Sequence, residues 1–105
     1  MTKFCHLWLT CADKIEADKT AKTLLEKHLV ACVRQMPASS AYWWKGKIEK
    51  IEEVLLMMES REDLFDEVER EVAKLHSYDA FVLEEVPVSK ISKKAEVWLK
   101  DELHD

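Results

Sequence analysis

The chain has 105 residues, with 16 Lys+Arg against 21 Asp+Glu and a formal net charge of −5. That length makes one domain, residues 1–105, large enough for its own core; 48% hydrophobic and 35% charged residues describe a soluble globular chain and not a disordered one. The acidic balance argues against nucleic acid or an anionic membrane as the main partner, and no apolar run approaches the roughly 20 residues that span a bilayer.

Met1-Thr2-Lys3-Phe4-Cys5-His6 enters a strand-like pattern at once, so no signal or transit peptide is expected. Phe4 to Thr10, with Leu7-Trp8-Leu9 consecutive, reads as the first strand. Asp13 is placed to cap a helix, with Glu16 three residues on to reach back. Ala17, Ala21, Leu24, Leu25 and His28 then recur at helical spacing. Val30 to Met36 reads as a second strand, interrupted by Pro37 and Ala38-Ser39-Ser40.

Tyr42-Trp43-Trp44-Lys45-Gly46-Lys47-Ile48 follows, and it contains the chain's one glycine. Aromatic and β-branched residues on both sides of Lys-Gly-Lys predict a hairpin or long β-ribbon, continuing into Val54-Leu55-Leu56-Met57-Met58. Trp43 and Trp44, as strand neighbours, point to opposite faces. Ser60 is placed to cap a second helix with the stripe Leu64, Phe65, Val68, Val72 and Leu75. Tyr78 to Val88 reads as a strand ending near Pro87. Ser92 opens a last helix with Ile91, Ala95, Trp98 and Leu99 inward, and His104 falls in a frayed tail.

The order βαββαβ plus a terminal helix most simply gives an α+β, ferredoxin-like sandwich with both main helices on one face of an antiparallel sheet. Leu7-Trp8-Leu9, Val54 to Met58 and Phe81-Val82-Leu83 lack the alternation of a half-wet sheet. Two helices cannot cover both faces, so another subunit is expected on the second face, in an obligate homo-oligomer.

The three cysteines, Cys5, Cys11 and Cys32, are odd in number and lack CxxC spacing, which favours free thiols in a reducing, cytoplasmic setting. Cys5 and Cys11 share a strand face but lie about 20 Å apart, too far to ligate one ion. Cys32, between Ala31 and Val33, is expected in the core. Met57 and Met58 are read as strand interior rather than soft metal ligands. Glu52-Glu53 and Glu84-Glu85 are adjacent strand residues on opposite faces, not converging acid and base. No nucleophilic triad or phosphate loop is present, so the chain is not expected to be an enzyme.

His76 is the best single metal-ligand candidate, since a neutral imidazole suits Cu(II) and Zn(II). The competing role is a helix C-terminal cap, where its ring meets free carbonyls. Asp79 and the Cys11 thiol would complete a mixed N/O/S site. Arg34, Lys45 and Lys47 offer instead an anion site at an intersubunit cleft. The Tyr42-Trp43-Trp44 platform with its lysines also has the composition of a base-stacking surface, but an oligomer interface accounts for it better.

Leu29-Val30-Ala31-Cys32-Val33, Pro37, Ser40 to Ile48, Glu53-Val54-Leu55-Leu56, Leu75-His76-Ser77-Tyr78-Asp79, Val86-Pro87-Val88 and Ala95 to Leu99 resemble, in order and spacing, the CutA family of divalent-cation-tolerance proteins. The resemblance implies a ferredoxin-like protomer in a tight, PII-like homotrimer, with long ribbons packed on neighbouring subunits. It implies a role in copper or divalent-cation tolerance, and some members bind Cu(II). His76 and Tyr78 match the family's His-Pro-Tyr-Glu motif, while Ser77 replaces its proline and Asp79 its glutamate. Glu59 stands where a lysine usually closes the third strand, and it would shape the ligand cleft with Tyr78. The first-strand cysteine position falls at Leu9, with Cys11 two residues later on the same side. The implied function is a homotrimer weakly binding copper(II) or another divalent cation, with no cofactor required. The alternative is a trimer binding an anionic small molecule through Lys45 and Arg34, or an unidentified partner protein, as a signalling module.

Overall fold

The computed structural model describes residues 3–104; Met1, Thr2 and the last residue, with the N-terminal reading that begins on them, lie outside it. Eight elements follow one another along the chain. They are strand β1 (Phe4–Cys11), helix α1 (Lys14–Glu26), strands β2 (Cys32–Trp44) and β3 (Lys47–Arg61), a one-turn 3-10 segment (Glu62–Leu64), helix α2 (Phe65–Leu75), strand β4 (Leu83–Pro87) and helix α3 (Lys93–Glu102). The sheet order is β2-β3-β1-β4 with every pairing antiparallel, which is the expected ferredoxin-like arrangement.

Strand alternation divides the sheet into two unlike faces. Cys5, Leu7, Leu9 and Cys11 of β1 stand opposite Ser60, Met58, Leu56 and Val54 of β3. Both β1 cysteines and Leu7, Leu9, Leu56 and Met58 are fully buried. Ala17 and Leu24 of α1, Val68 and Val72 of α2, and Leu99 and Leu103 at the end of α3 join them in one apolar cluster. The other face carries His6, Trp8 and Thr10, opposite Glu59, Met57 and Leu55. Trp8, Met36 and Val86 remain 38–42% exposed there, so the helices of this chain leave an apolar face uncovered, as the continuous runs imply.

Several expectations give way to tertiary context. Pro37 does not interrupt β2, which runs on for 13 residues. β2 is the edge strand, where a missing N–H costs no ladder bond. Ser60 caps no helix: it lies in β3, fully buried, and its Oγ donates to the Leu29 carbonyl at 2.7 Å. The last strand is only Leu83–Pro87, and Tyr78 to Val82 form a loop before it.

His28 lies beyond the end of α1 in left-handed backbone (φ 57°), exposed rather than on an inner stripe. Its Nδ1 sits 2.7 Å from the Glu102 carbonyl. His104 is held and not frayed, since its N–H donates to His28 O and its carbonyl accepts from Arg61 Nη2. Trp98 is 42% exposed, and the inward side of α3 is carried by Leu99. Cys32 is half-buried and stands opposite Glu59 on the open face, so it is not a core residue.

The ribbon turns at Lys45 (φ 51°) and Gly46 (φ 82°), two successive positive-φ residues of the kind that match strand twist in a two-residue hairpin. A Cβ at Gly46 would meet nothing within 4 Å, so only its backbone conformation favours glycine. Gly46→Ala should therefore cost about 1 kcal/mol and no more, read as a lower denaturation midpoint at unchanged slope. An unchanged midpoint would show that the turn is not held in this conformation.

Candidate metal centre and the adjoining cleft

The site forms where β1 ends, α1 begins and the chain leaves α2. Asp13 caps α1 as expected: its Oδ1 accepts the Glu16 N–H at 2.8 Å. Glu16 reaches back past the cap, and its Oε2 accepts from the Ala12 N–H at 2.7 Å. Its Oε1 accepts from the Ser77 N–H at 2.6 Å, which ties the loop after α2 to the start of α1. Burial alone would raise the Glu16 carboxyl, but these donors hold it below the ordinary 4.5.

The His76 side chain is fully enclosed. Nε2 donates to the Thr10 carbonyl at 2.7 Å, and Nδ1 accepts the Tyr78 N–H at 3.1 Å. The ring is therefore the neutral Nε2–H form with both nitrogens engaged, and Glu16 Oε2 stands farther off at 3.8 Å. Phe81 stacks on one side at 5.3 Å and Tyr78 tilts against it at 4.7 Å between centroids.

Cys11 completes the group. Burial pushes its thiol up to about 12, Glu16 adds to that, and Thr20 alone pulls it down. One donor atom from each of Cys11, Glu16 and His76 lies within 4.8 Å of the other two. Two of the three predicted ligands, Cys11 and His76, thus converge. Asp79 is not one of the converging donors; it is exposed and lines a cleft beyond Tyr78. Glu16 takes its place.

The residues expected to shape the cleft divide. Tyr78 lines it, in a cavity of about 480 Å³ walled by Tyr42, Trp43 and Trp44 of the ribbon and by Glu53. Glu59 does not. It lies on the open face, with Oε1 3.2 Å from His6 Nε2 and Oε2 accepting from Arg34 Nη1 at 2.8 Å. Arg34 is thereby engaged at the base of β2, while Lys45 sits at the ribbon tip with its ammonium 5.6 Å from the Trp44 ring centre. About 36 Å of strand separates the two basic residues, so one protomer cannot bring them onto one anion.

The donor set of imidazole, thiol and carboxylate suits a borderline-soft divalent ion such as copper or zinc. The residues fit one with contraction, since bonds of about 2.0–2.3 Å need donors closer together than these. Each donor also holds something that an ion must displace: the thiol proton, the Thr10 bond and the Ala12 bond.

Residues 5–102 match the family model described as CutA1 divalent ion tolerance protein. The divalent-cation tolerance protein CutA of Pyrococcus horikoshii is 34% identical over 96 residues, covering 91% of this chain and 94% of that one. The protein of the same name from Archaeoglobus fulgidus is 36% identical over 95 residues, covering 90% and 93%. Among solved structures, the A. fulgidus protein, described as a periplasmic divalent cation tolerance protein CutA, superposes with a TM-score of 0.94 at 34% identity, over 96% of this chain and 99% of that one. CutA1 from Oryza sativa gives 0.95 at 29% identity, over 98% and 95%. The matching fold, order and length place the molecule in a defined class: this chain belongs to the CutA1 divalent ion tolerance family.

The buried thiols make a pH prediction. Cys5 is also pushed up to about 12, by burial first and Glu85 second, against an ordinary value of 9.0 for both thiols. Between pH 9 and 12 the folded chain keeps protons that the unfolded chain gives up. Stability should then fall as pH rises above 9, by up to about 1.4 kcal/mol per pH unit for each thiol. Urea midpoints from pH 8 to 10.5 check this, and Cys11→Ala should flatten the decline. An equally steep decline in Cys11→Ala would remove Cys11 from the account.

Proposed function

We propose that this chain forms a homotrimer that captures copper(II), or another divalent ion of similar softness, weakly and without catalysis, in metal homeostasis. The observation that carries this reading is the convergence of Cys11, Glu16 and His76 within 4.8 Å. Asp79 belongs to the neighbouring cleft in this proposal. The names of the P. horikoshii and A. fulgidus relatives, which refer to divalent cation tolerance, support the ion as ligand.

Weak capture follows from the competing bonds. An ion binding Cys11 must displace a proton from a thiol held near 12, and one binding His76 Nε2 must replace the Thr10 hydrogen bond. A trimer is supported by the apolar sheet face around Trp8, Met36 and Val86, which a neighbouring protomer would cover. The same face, or the exposed Val97 and Trp98 of α3, leaves room for a partner protein. The unpaired Cys5, Cys11 and Cys32 support a cytoplasmic setting for this chain, although the A. fulgidus relative is described as periplasmic. No observation favours the anion alternative, since Arg34 is paired with Glu59 and Lys45 stands apart from it.

Native mass spectrometry before and after one equivalent of Cu(II) per chain tests the reading. The expected species is a trimer carrying copper, with Zn(II) as a redox-inert check. Cys11→Ser, which keeps size, should lower affinity by about tenfold or more. While a single thiol proton is displaced, affinity should rise by about tenfold per pH unit. A trimer that stays metal-free, or a Cys11→Ser protein that binds as tightly as the parent, overturns the site.

A further inference from the structure

Thr20 sits one helical turn after Glu16 on α1, so the two side chains lie on one face of the helix. It is fully buried, on the inward side of α1 with Ala17, Ala21 and Leu24. A threonine inside a helix commonly donates to the carbonyl four residues back, which here belongs to Glu16. Thr20 does not. Among the described residues its Oγ1 is buried without a hydrogen-bond partner. An enclosed, unpaired hydroxyl costs free energy that valine, of the same shape, would not, so packing gives no reason for a threonine here.

The hydroxyl lies beside the Cys11 sulfur. Burial first and Glu16 second push that thiol up, and Thr20 is the neighbour that draws it down, as a donor next to sulfur does. The pair nevertheless stays short of hydrogen-bond geometry. A protonated thiol is a weak acceptor, whereas a thiolate is a strong one, so the hydroxyl gains its partner only when the sulfur carries negative charge. Glu16 is already oriented by the Ser77 N–H, and the His76 ring is held between Tyr78 and Phe81. Thr20 is the group placed to orient the third donor.

We propose that Thr20 is a positioning residue of the Cys11-Glu16-His76 group: when a divalent ion takes the Cys11 sulfur, Thr20 Oγ1–H donates to that sulfur and holds it toward the ion. The inference rests on the reading of that group as an ion site. In the step itself the S–H bond gives way to a sulfur–metal bond and the proton leaves to water. Thr20 keeps its own proton, and nothing is oxidised or reduced. The unpaired hydroxyl is thereby satisfied in the ion-bound state, which favours capture.

Titration of the whole chain with Co(II) tests this, because the thiolate-to-cobalt charge-transfer absorption reports the sulfur itself, and competition with Zn(II) gives the second affinity. Thr20→Val keeps the shape and deletes the hydroxyl. It should weaken both ions by about tenfold to a hundredfold and move the charge-transfer band to longer wavelength, since the sulfur loses a hydrogen bond. Thr20→Ser keeps the hydroxyl and should return affinity and band to those of the parent. Chelator-treated Thr20→Val should melt no lower than the chelator-treated parent, because a methyl replaces an unpaired buried hydroxyl. Parent affinity and an unmoved band in Thr20→Val overturn the inference and leave the ion site standing. A lower melting temperature for chelator-treated Thr20→Val also overturns it, because the hydroxyl then serves a bond of the fold. A parent without a thiolate band, or a band that survives Cys11→Ser, overturns the ion site itself and this inference with it.

Discussion

The Glu16 carboxylate holds together three segments that are distant in sequence. It is the third residue of α1, it accepts the N–H of Ala12 just past β1, and it accepts the N–H of Ser77 just past α2. Hydrogen bonds to a charged acceptor are each worth about 1.5–3 kcal/mol, so this one side chain fixes the junction more firmly than a neutral residue would. His76 makes the complementary connection, from the Thr10 carbonyl through its ring to the Tyr78 N–H. The path of the loop from 76 to 82, and with it the wall of the cleft, depends on these two residues. Cys11 falls beside them because strand alternation sends it inward after Leu9 and Leu7.

The same alternation leaves the sheet unbalanced. Helices α1 and α2 lie on one face because both crossovers in a ferredoxin-like order return on that side. The other face then carries Trp8, Met36, Leu55 and Met57, none of which belongs to the core cluster. The ribbon adds to the imbalance: Trp43 is 72% and Ile48 60% exposed, far along strands that outrun the helices. A chain of this size cannot bury so much aromatic surface by itself, and the molecule's 45 Å long axis is set by that ribbon and not by its core. Association is the physical response available to it.

The fold was legible because its signals were local and mutually consistent. Asp13 with Glu16 marked the start of α1, the Val68 and Val72 stripe marked α2, and Lys45-Gly46 marked the hairpin. What escaped was set by neighbours. Pro37 looks like a strand breaker until β2 is known to be an edge. Ser60 looks like a cap until the Leu29 carbonyl is found beside it. Tyr78 to Val82 look like a strand until His76 turns the chain back through Tyr78. The site was half legible: Cys11 and His76 carried the chemistry in their types, but Glu16 was already accounted for as a helix-start residue. The remaining signal was spacing, because a glutamate that reaches back past the helix start lies at the strand end, where Cys11 is. Asp79 was chosen for its closeness in sequence, and the loop leaves it exposed, beyond Tyr78.

Electrostatics bears on the functional alternatives more directly than composition does. The chain has Arg34 and Lys45 to offer an anion, but Arg34 is neutralised by Glu59, which His6 also contacts. Glu59 makes this pairing possible, so Arg34 leaves no free positive charge on the open face. The group at the start of α1 is acidic: Glu16 stands there with a thiol and an imidazole. It offers soft and borderline donors that bind only by releasing a proton or a backbone bond, which suits an ion able to form strong coordinate bonds. Tyr78 stands between that group and the cleft beside it: its backbone N–H fixes His76, and the residue lines the cleft.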